Sequence, residues 1–343
     1  MGRGIWGRAA RGQVRAVEGP EVLAVGRRDR FFIVITTFNR ADFLANLLES
    51  VAALDPAPDA LVVVDNASTD TTAEVIAAAR DRLAALPSPV ALHHHALGTN
   101  VGGAGGFSAG VERALAEGAQ WMWLMDDDVT AVPGAIGAFG PWMEKYDALV
   151  GRRYDTAGKP FFWQHNFSNF LGLHLPVRGN VFAHTNEFAT NVGCFEGMLV
   201  HRDAVASVGL PDPRFFITWD DAIYGWLISL ERPVMYVNEF VLHKAREQRS
   251  VDLRIRHLND SSNLSRFYVM RNRGLVAQYL RANGRFHPAG FALGTALTAA
   301  KELVRLVAVE RTLHGVGRLW AGWRASRPIL ADRQWQPMAK LDA

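Results

Sequence analysis

Trp121-Met-Trp-Leu-Met-Asp-Asp-Asp128 sets five apolar residues directly against three carboxylates. The pattern reads as a buried strand that ends at a charged rim. Three adjacent acids repel one another and lose solvation unless positive charge sits among them. A divalent cation with oxygen ligands, itself holding a phosphate, would supply that charge. Taken alone, the triplet fits a solvated acidic turn better. The stretches on either side change that reading.

Upstream, Phe31-Phe-Ile-Val-Ile-Thr-Thr-Phe38 and Leu61-Val-Val-Val-Asp65 have the composition of strands covered on both faces. Asn39-Arg40-Ala41-Asp42 breaks the first run and opens a helix carrying Phe43, Leu44, Leu47, Leu48 and Val51, closed by Pro56 and Pro58. Asn66-Ala-Ser-Thr-Asp70 supplies capping residues for a second helix, and Val90–His94 reads as a third strand. Strand and helix alternate through residue 130, which implies parallel strands with right-handed crossovers. Ligands of such sheets lie outside the carboxyl ends of the strands. Asp65 and Asp126 to Asp128 fall there. Between them, six glycines in residues 98–110 suit either tight packing or close approach to a ligand. A helix over 103–117 would offer its N-terminal amides to a phosphate. The stretch matches neither GxGxxG after the first strand nor GxxxxGK[ST], which disfavours a dinucleotide-binding or P-loop enzyme.

Downstream, the pattern predicts a helix over 133–146, a strand over 148–154 and a single strand with a glycine bend through Phe188–His201. Phe215-Phe-Ile-Thr-Trp-Asp-Asp221 repeats the opening theme of apolar run, tryptophan and acids. Its acids also suit the N-terminus of the helix that follows. Val234–Leu242 is a strand with His243-Lys244 at its end, a place where a histidine is more often structural than a ligand. Residues 287–326 give amphipathic helices carrying Leu293, Leu297 and Val307 beside Lys301, Arg305, Arg311, Arg318 and Arg324. Trp320 and Trp323 suit a membrane interface, and packing on the preceding domain fits equally well.

The 343 residues are 49% hydrophobic and 21% charged, as in a globular protein with a substantial core. The one cysteine, Cys194, excludes an intramolecular disulfide and fits a reducing compartment. The N-terminus lacks the apolar core of a secretory signal, and no stretch reaches the roughly 18 apolar residues of a membrane span. Residues 251–343 hold 15 Lys/Arg against 6 Asp/Glu, a net +9 that leaves −6 for the first 250 residues of a chain with +3 overall. A basic C-terminal quarter invites an anionic surface.

In their order, these motifs resemble the family 2 inverting glycosyltransferases of the GT-A fold. The resemblance rests on Thr36-Thr-Phe-Asn-Arg40, Val64-Asp-Asn-Ala-Ser-Thr-Asp70 and Trp123-Leu-Met-Asp-Asp-Asp-Val129. Asn100-Val-Gly-Gly-Ala-Gly-Gly-Phe107, Trp219-Asp-Asp-Ala-Ile-Tyr224 and Arg271-Asn-Arg273 narrow it to bacterial galactofuranosyltransferases and neighbouring rhamnosyltransferases. It implies an α/β fold with a Rossmann-like mixed sheet flanked by helices. An N-terminal arm or hairpin (1–30), a catalytic domain (31–250) and a basic helical region (251–343) are expected. The resemblance puts Thr37, Arg40, Asp65, Asn100, Asp126, Asp127 and Trp219 at the nucleotide sugar. It puts Asp126, Asp128 and His243 on Mn²⁺ or Mg²⁺, and makes Asp221, with Asp220 beside it, the general base.

The implied partners are UDP-galactofuranose as donor and a polyprenyl-diphosphate-linked or glycan acceptor in cell-wall or O-antigen galactan synthesis. The expected place is cytoplasmic, peripheral at the inner face of the membrane, with no role for nucleic acid. A dTDP-rhamnosyltransferase of the same fold is the nearest alternative. A non-catalytic module binding nucleotide sugars or polyanions is the alternative from another class.

Overall fold

The structure, a computed structural model, describes residues 29–246, 250–252, 257–259 and 262–341. The arm or hairpin expected before the first strand lies outside the described residues, save for its last two positions. The chain opens as β1 (Phe31–Thr37), α1 (Ala41–Ala52), β2 (Ala60–Asp65), α2 (Thr72–Ala84), β3 (Ala91–Ala96), α3 (Gly102–Ala116) and β4 (Trp121–Asp126). It continues as β5 (Val129–Ala131), α4 (Ala135–Met143), β6 (Ala148–Tyr154), β7 (Pro160–Phe161), β8 (His165–Ser168) and β9 (Leu173–Pro176). Then come β10 (Glu187–Thr190), β11 (Met198–His201), α5 (Arg202–Val208), α6 (Asp220–Glu231) and β12 (Val234–Lys244). After a short pairing of residues 250–252 with 257–259, four helices close the chain: α7 (Asn263–Arg271), α8 (Arg273–Ala282), α9 (Pro288–Val304) and α10 (Val316–Ala331).

The main sheet runs β10-β12-β6-β11-β4-β1-β2-β3, with β5 and β7 attached to β12 and β6. β3, β2, β1 and β4 are parallel, as strand–helix alternation requires, while β11 lies antiparallel between β4 and β6. The sheet is therefore mixed. Strand β1 shows why it forms: Phe31, Ile33 and Ile35 pack on one face with α1 and α4, Phe32 and Val34 on the other with α3. With both faces covered, every residue of β1 is buried. Each large apolar side chain so buried contributes roughly 1.5–3 kcal/mol.

One sequence expectation fails here. Phe188–His201 is two strands in different parts of the sheet, β10 at the edge on β12 and β11 inserted beside β4. The loop between them, residues 191–197, is itself largely buried, so the apolar pattern never breaks. Its passage under α6 needs two glycines: a Cβ on Gly225 would stand 1.8 Å from the Gly193 nitrogen.

A carboxylate-lined candidate active site

The register of the parallel strands builds the first half of the site. Asp65 is paired with Thr37 and Asp126 with Thr36, so both acids end their strands on either side of β1. Asp65 is buried; it accepts a hydrogen bond from the Ser68 amide at 2.9 Å, and His94 Nε2 lies 3.8 Å from it. Asn66 donates to the Gly102 carbonyl and accepts from the Val101 amide, tying the glycine stretch to the end of β2. Asn100 accepts from the Gly102 amide at 2.8 Å and shapes the same turn.

The glycine stretch serves tight packing at one position. A Cβ on Gly106 would meet Thr36 Cγ2 at 2.3 Å, so α3 docks on β1 only because that position carries no side chain. Gly98 and Gly103, by contrast, face open space.

The three consecutive aspartates divide their work. Asp127 is 2% exposed and accepts from Thr37 Oγ1 at 2.7 Å and from Arg40 Nη1 at 2.8 Å. Burial pushes its carboxyl up, and the Arg40 guanidinium opposes that shift. Asp128 lies 3.3 Å from the same guanidinium. Asp126 is left half-buried, and burial together with Asp128, Glu196, Asp127 and Asp220 drives its carboxyl well above the ordinary range. Crowded oxygen donors short of positive charge are the donor set a hard divalent cation takes.

The second half hangs on an unusual turn. Residues 215–219 are not the strand-like run that their composition suggests; a short 3-10 turn, Pro213–Phe215, leads into Phe216, Thr218 and Trp219 at φ of +62°, +66° and +72°. Non-glycine residues held there cost of order 1–3 kcal/mol each and persist only where the surroundings over-determine them. Here Asn272 does so. Its buried side-chain amide donates to the carbonyls of Phe215, Ile217 and Thr218 at 2.8, 2.9 and 3.1 Å. The Ala104 amide donates to the Phe216 carbonyl at 3.0 Å, which links the turn to the glycine stretch.

That turn delivers Asp220 and Asp221 at the first positions of α6. Asp221 accepts from the Ala222 amide at 2.6 Å. Burial and the neighbouring Asp220 push its carboxyl far up, with Glu196 adding to the shift and Arg153 opposing it. Asp220 is raised by burial against the pull of two backbone amides. Glu196 completes the group: Arg153 Nη1 at 2.7 Å and Lys244 Nζ at 2.6 Å overcome its burial and hold it below the ordinary range.

Not every expected residue converges. Trp219 is 8% exposed and packed inward: its indole donates to the Val269 carbonyl at 3.0 Å, and its ring meets His174 and Arg273. His243 stacks on Tyr154 with ring centroids 4.7 Å apart. Among the described residues no three His, Cys, Asp or Glu side chains stand grouped to hold a metal ion. Asn272, Glu196, Arg153 and Lys244 were not singled out for a role in the sequence. The Arg271-Asn-Arg273 triplet was the one visible signal.

The raised acids carry a stability cost with a definite sign. A carboxyl whose folded-state pKa lies above its unfolded value of about 4 stabilises the fold below that value. The contribution is lost as pH rises through the raised one. Thermal stability without added cation should therefore fall from mildly acidic to neutral pH. The fall should shrink in Asp126→Asn, whose melting temperature at neutral pH should exceed that of the unmodified protein. Parallel melting curves of the two proteins across that range check it.

Residues 32–207 match glycosyl transferase family 2. The chain belongs to that family and is a glycosyltransferase of the GT-A fold. It is 31% identical over 205 residues to galactofuranosyltransferase GlfT1 of Mycobacterium tuberculosis (strain H37Rv) and 29% identical over 195 residues to that of Mycolicibacterium smegmatis. Each match covers 55% of this chain and 61% of the relative, so the likeness leaves more than a third of those proteins unmatched. Among solved structures, a mannosyltransferase from Pyrobaculum calidifontis in complex with GDP-Man and Mn²⁺ has the same fold. Its TM-score is 0.51 at 14% identity, with 93% of this chain and 90% of that one covered.

Proposed function

We propose that this glycosyltransferase moves galactofuranose from UDP-galactofuranose to a sugar hydroxyl of a lipid-linked or polysaccharide acceptor, with inversion at the anomeric carbon. The observation that supports the chemistry is that Asp220, at the start of α6, acts on the Asp126 carboxyl at the end of β4, with Asp221 next in the chain to Asp220. The kinship with the galactofuranosyltransferases supports the choice of sugar.

Asp221 serves as the base. It takes the proton of the acceptor hydroxyl as that oxygen bonds to the anomeric carbon, and the bond to the diphosphate breaks on the opposite face. A raised carboxyl is a stronger base than an ordinary one, provided it has lost its proton. Asp126 and Asp128 would hold Mn²⁺ or Mg²⁺, and the crowding of carboxylates around Asp126 fits that role. Such an ion neutralises the charge of the departing diphosphate without proton bookkeeping. His243, stacked on Tyr154, has no part in this assignment. Asp65 and Asn100 border the nucleotide, while Arg40 and Thr37 hold Asp127 and so fix the end of β4.

Transfer assayed with a panel of sugar nucleotides and Mn²⁺ tests the donor. Turnover with UDP-galactofuranose above UDP-galactopyranose and dTDP-rhamnose is expected. Turnover with dTDP-rhamnose alone would overturn the sugar while leaving the class.

A further inference from the structure

We infer that the α9–α10 face is a membrane-docking surface that seats on anionic phospholipid and takes a lipid tail into the groove between the two helices. Helix α9 carries two apolar stripes. Gly290, Phe291, Gly294 and Thr298 are buried against the rest of the protein. Leu293, Leu297 and Val304, with Val307 in the π-helical turn (Arg305–Val309) that follows, recur at spacings of four, seven and three on another side and stand 46–60% exposed. A helix apolar on more than one side is at home in a core or in lipid, not at a water-facing surface. Eight of the fourteen exposed large hydrophobic residues of the described chain lie between Leu293 and Trp320. An apolar concentration of this kind marks an interaction site.

The charge around this face selects the occupant. Residues 281–327 carry eight Lys/Arg and two Asp/Glu. The acids are engaged: Glu302 is fully buried against Arg305, and Glu310 pairs with Arg266. Arg281, Arg285, Arg311, Arg318, Arg324 and Arg327 are exposed. An apolar face ringed by arginine and carrying a half-exposed tryptophan, Trp320 against Trp323, complements an anionic headgroup layer over hydrocarbon. A second copy of the chain would bring like charges together.

The groove adds a specific feature. Its volume is about 910 Å³, and its walls include Phe286, Phe291, Leu303, Leu319, Trp320 and Trp323, with Arg281 and Arg327 among the lining. That lies within the roughly 300–1,000 Å³ of small-molecule sites. The walls suit a hydrocarbon chain, and the two guanidiniums suit the phosphate at its head. Among the described residues no helix is long and apolar enough to cross a membrane.

The inference rests on this surface alone and is tested without turnover. The full chain is mixed with phosphatidylcholine vesicles with or without phosphatidylglycerol, then floated through a density gradient. Flotation with the phosphatidylglycerol vesicles, weakened by salt, is expected. Leu297→Glu combined with Val307→Glu should abolish it; both side chains are exposed, so the fold should persist by circular dichroism. Acyl-brominated lipid should quench tryptophan emission, and less so in Trp320→Phe. No flotation, flotation untouched by the double glutamate variant, or a soluble dimer that the variant dissociates would each overturn the inference.

Discussion

Asp221→Asn is expected to lower transfer by about 10²–10⁴-fold, the usual worth of a positioned general base. The amide is isosteric with the carboxylate and still accepts from the Ala222 amide, so α6 should keep its start. UDP binding and cation-dependent stabilisation should survive nearly intact, because Asp126 and Asp128 are untouched. The pH profile separates a base from a merely structural acid. Burial and Asp220 hold the Asp221 carboxyl above its ordinary range, so the unmodified enzyme gains rate as pH rises through that raised value. In the Asp221→Asn enzyme that limb should vanish. Near-normal turnover of the variant would place the base elsewhere.

The second large effect lies away from the acids. Asn272→Asp replaces a donor that serves three carbonyls with a carboxylate facing the same three oxygens. A buried polar group left unsatisfied costs about 1–3 kcal/mol, and here the lost donor also releases a turn held at positive φ. At roughly 2–4 °C per kcal/mol for a domain of this size, the melting temperature should drop by several degrees. Because the turn presents Asp220 and Asp221 and not the nucleotide pocket, kcat should fall more than KM for the donor rises. A variant with lowered melting temperature and unchanged kcat would show that Asn272 supports the fold alone.

What the sequence revealed, and what it hid, follows from the reach of each interaction. Residues 31–130 were legible because β1, β2 and β4 are buried on both faces, which forces unbroken apolar runs ending at Asp65 and Asp126. That Asp220 acts on Asp126 could be expected only through resemblance, since no local pattern connects the two stretches. Phe188–His201 misled because the loop joining β10 to β11 is itself buried. The turn at 215–219 was not legible for a different reason. Its conformation is imposed by Asn272, more than fifty residues later, against the preference of its own side chains. Trp219 resembled a donor-site aromatic but fills the core shared with α8. His243 ends its strand where expected and then stacks on Tyr154, a neighbour set by the β6–β12 pairing.

The contact of Gly193 with Gly225 has a consequence for how this enzyme can diverge. It sets main chain directly on main chain between the loop bearing Glu196 and the helix bearing Asp221. The separation of those acids is therefore fixed by backbone thickness, and no exchange of neighbouring side chains can widen or narrow it. Selection for a new acceptor can reshape the walls of the cleft residue by residue. The spacing of Asp221 from Glu196 stays the same.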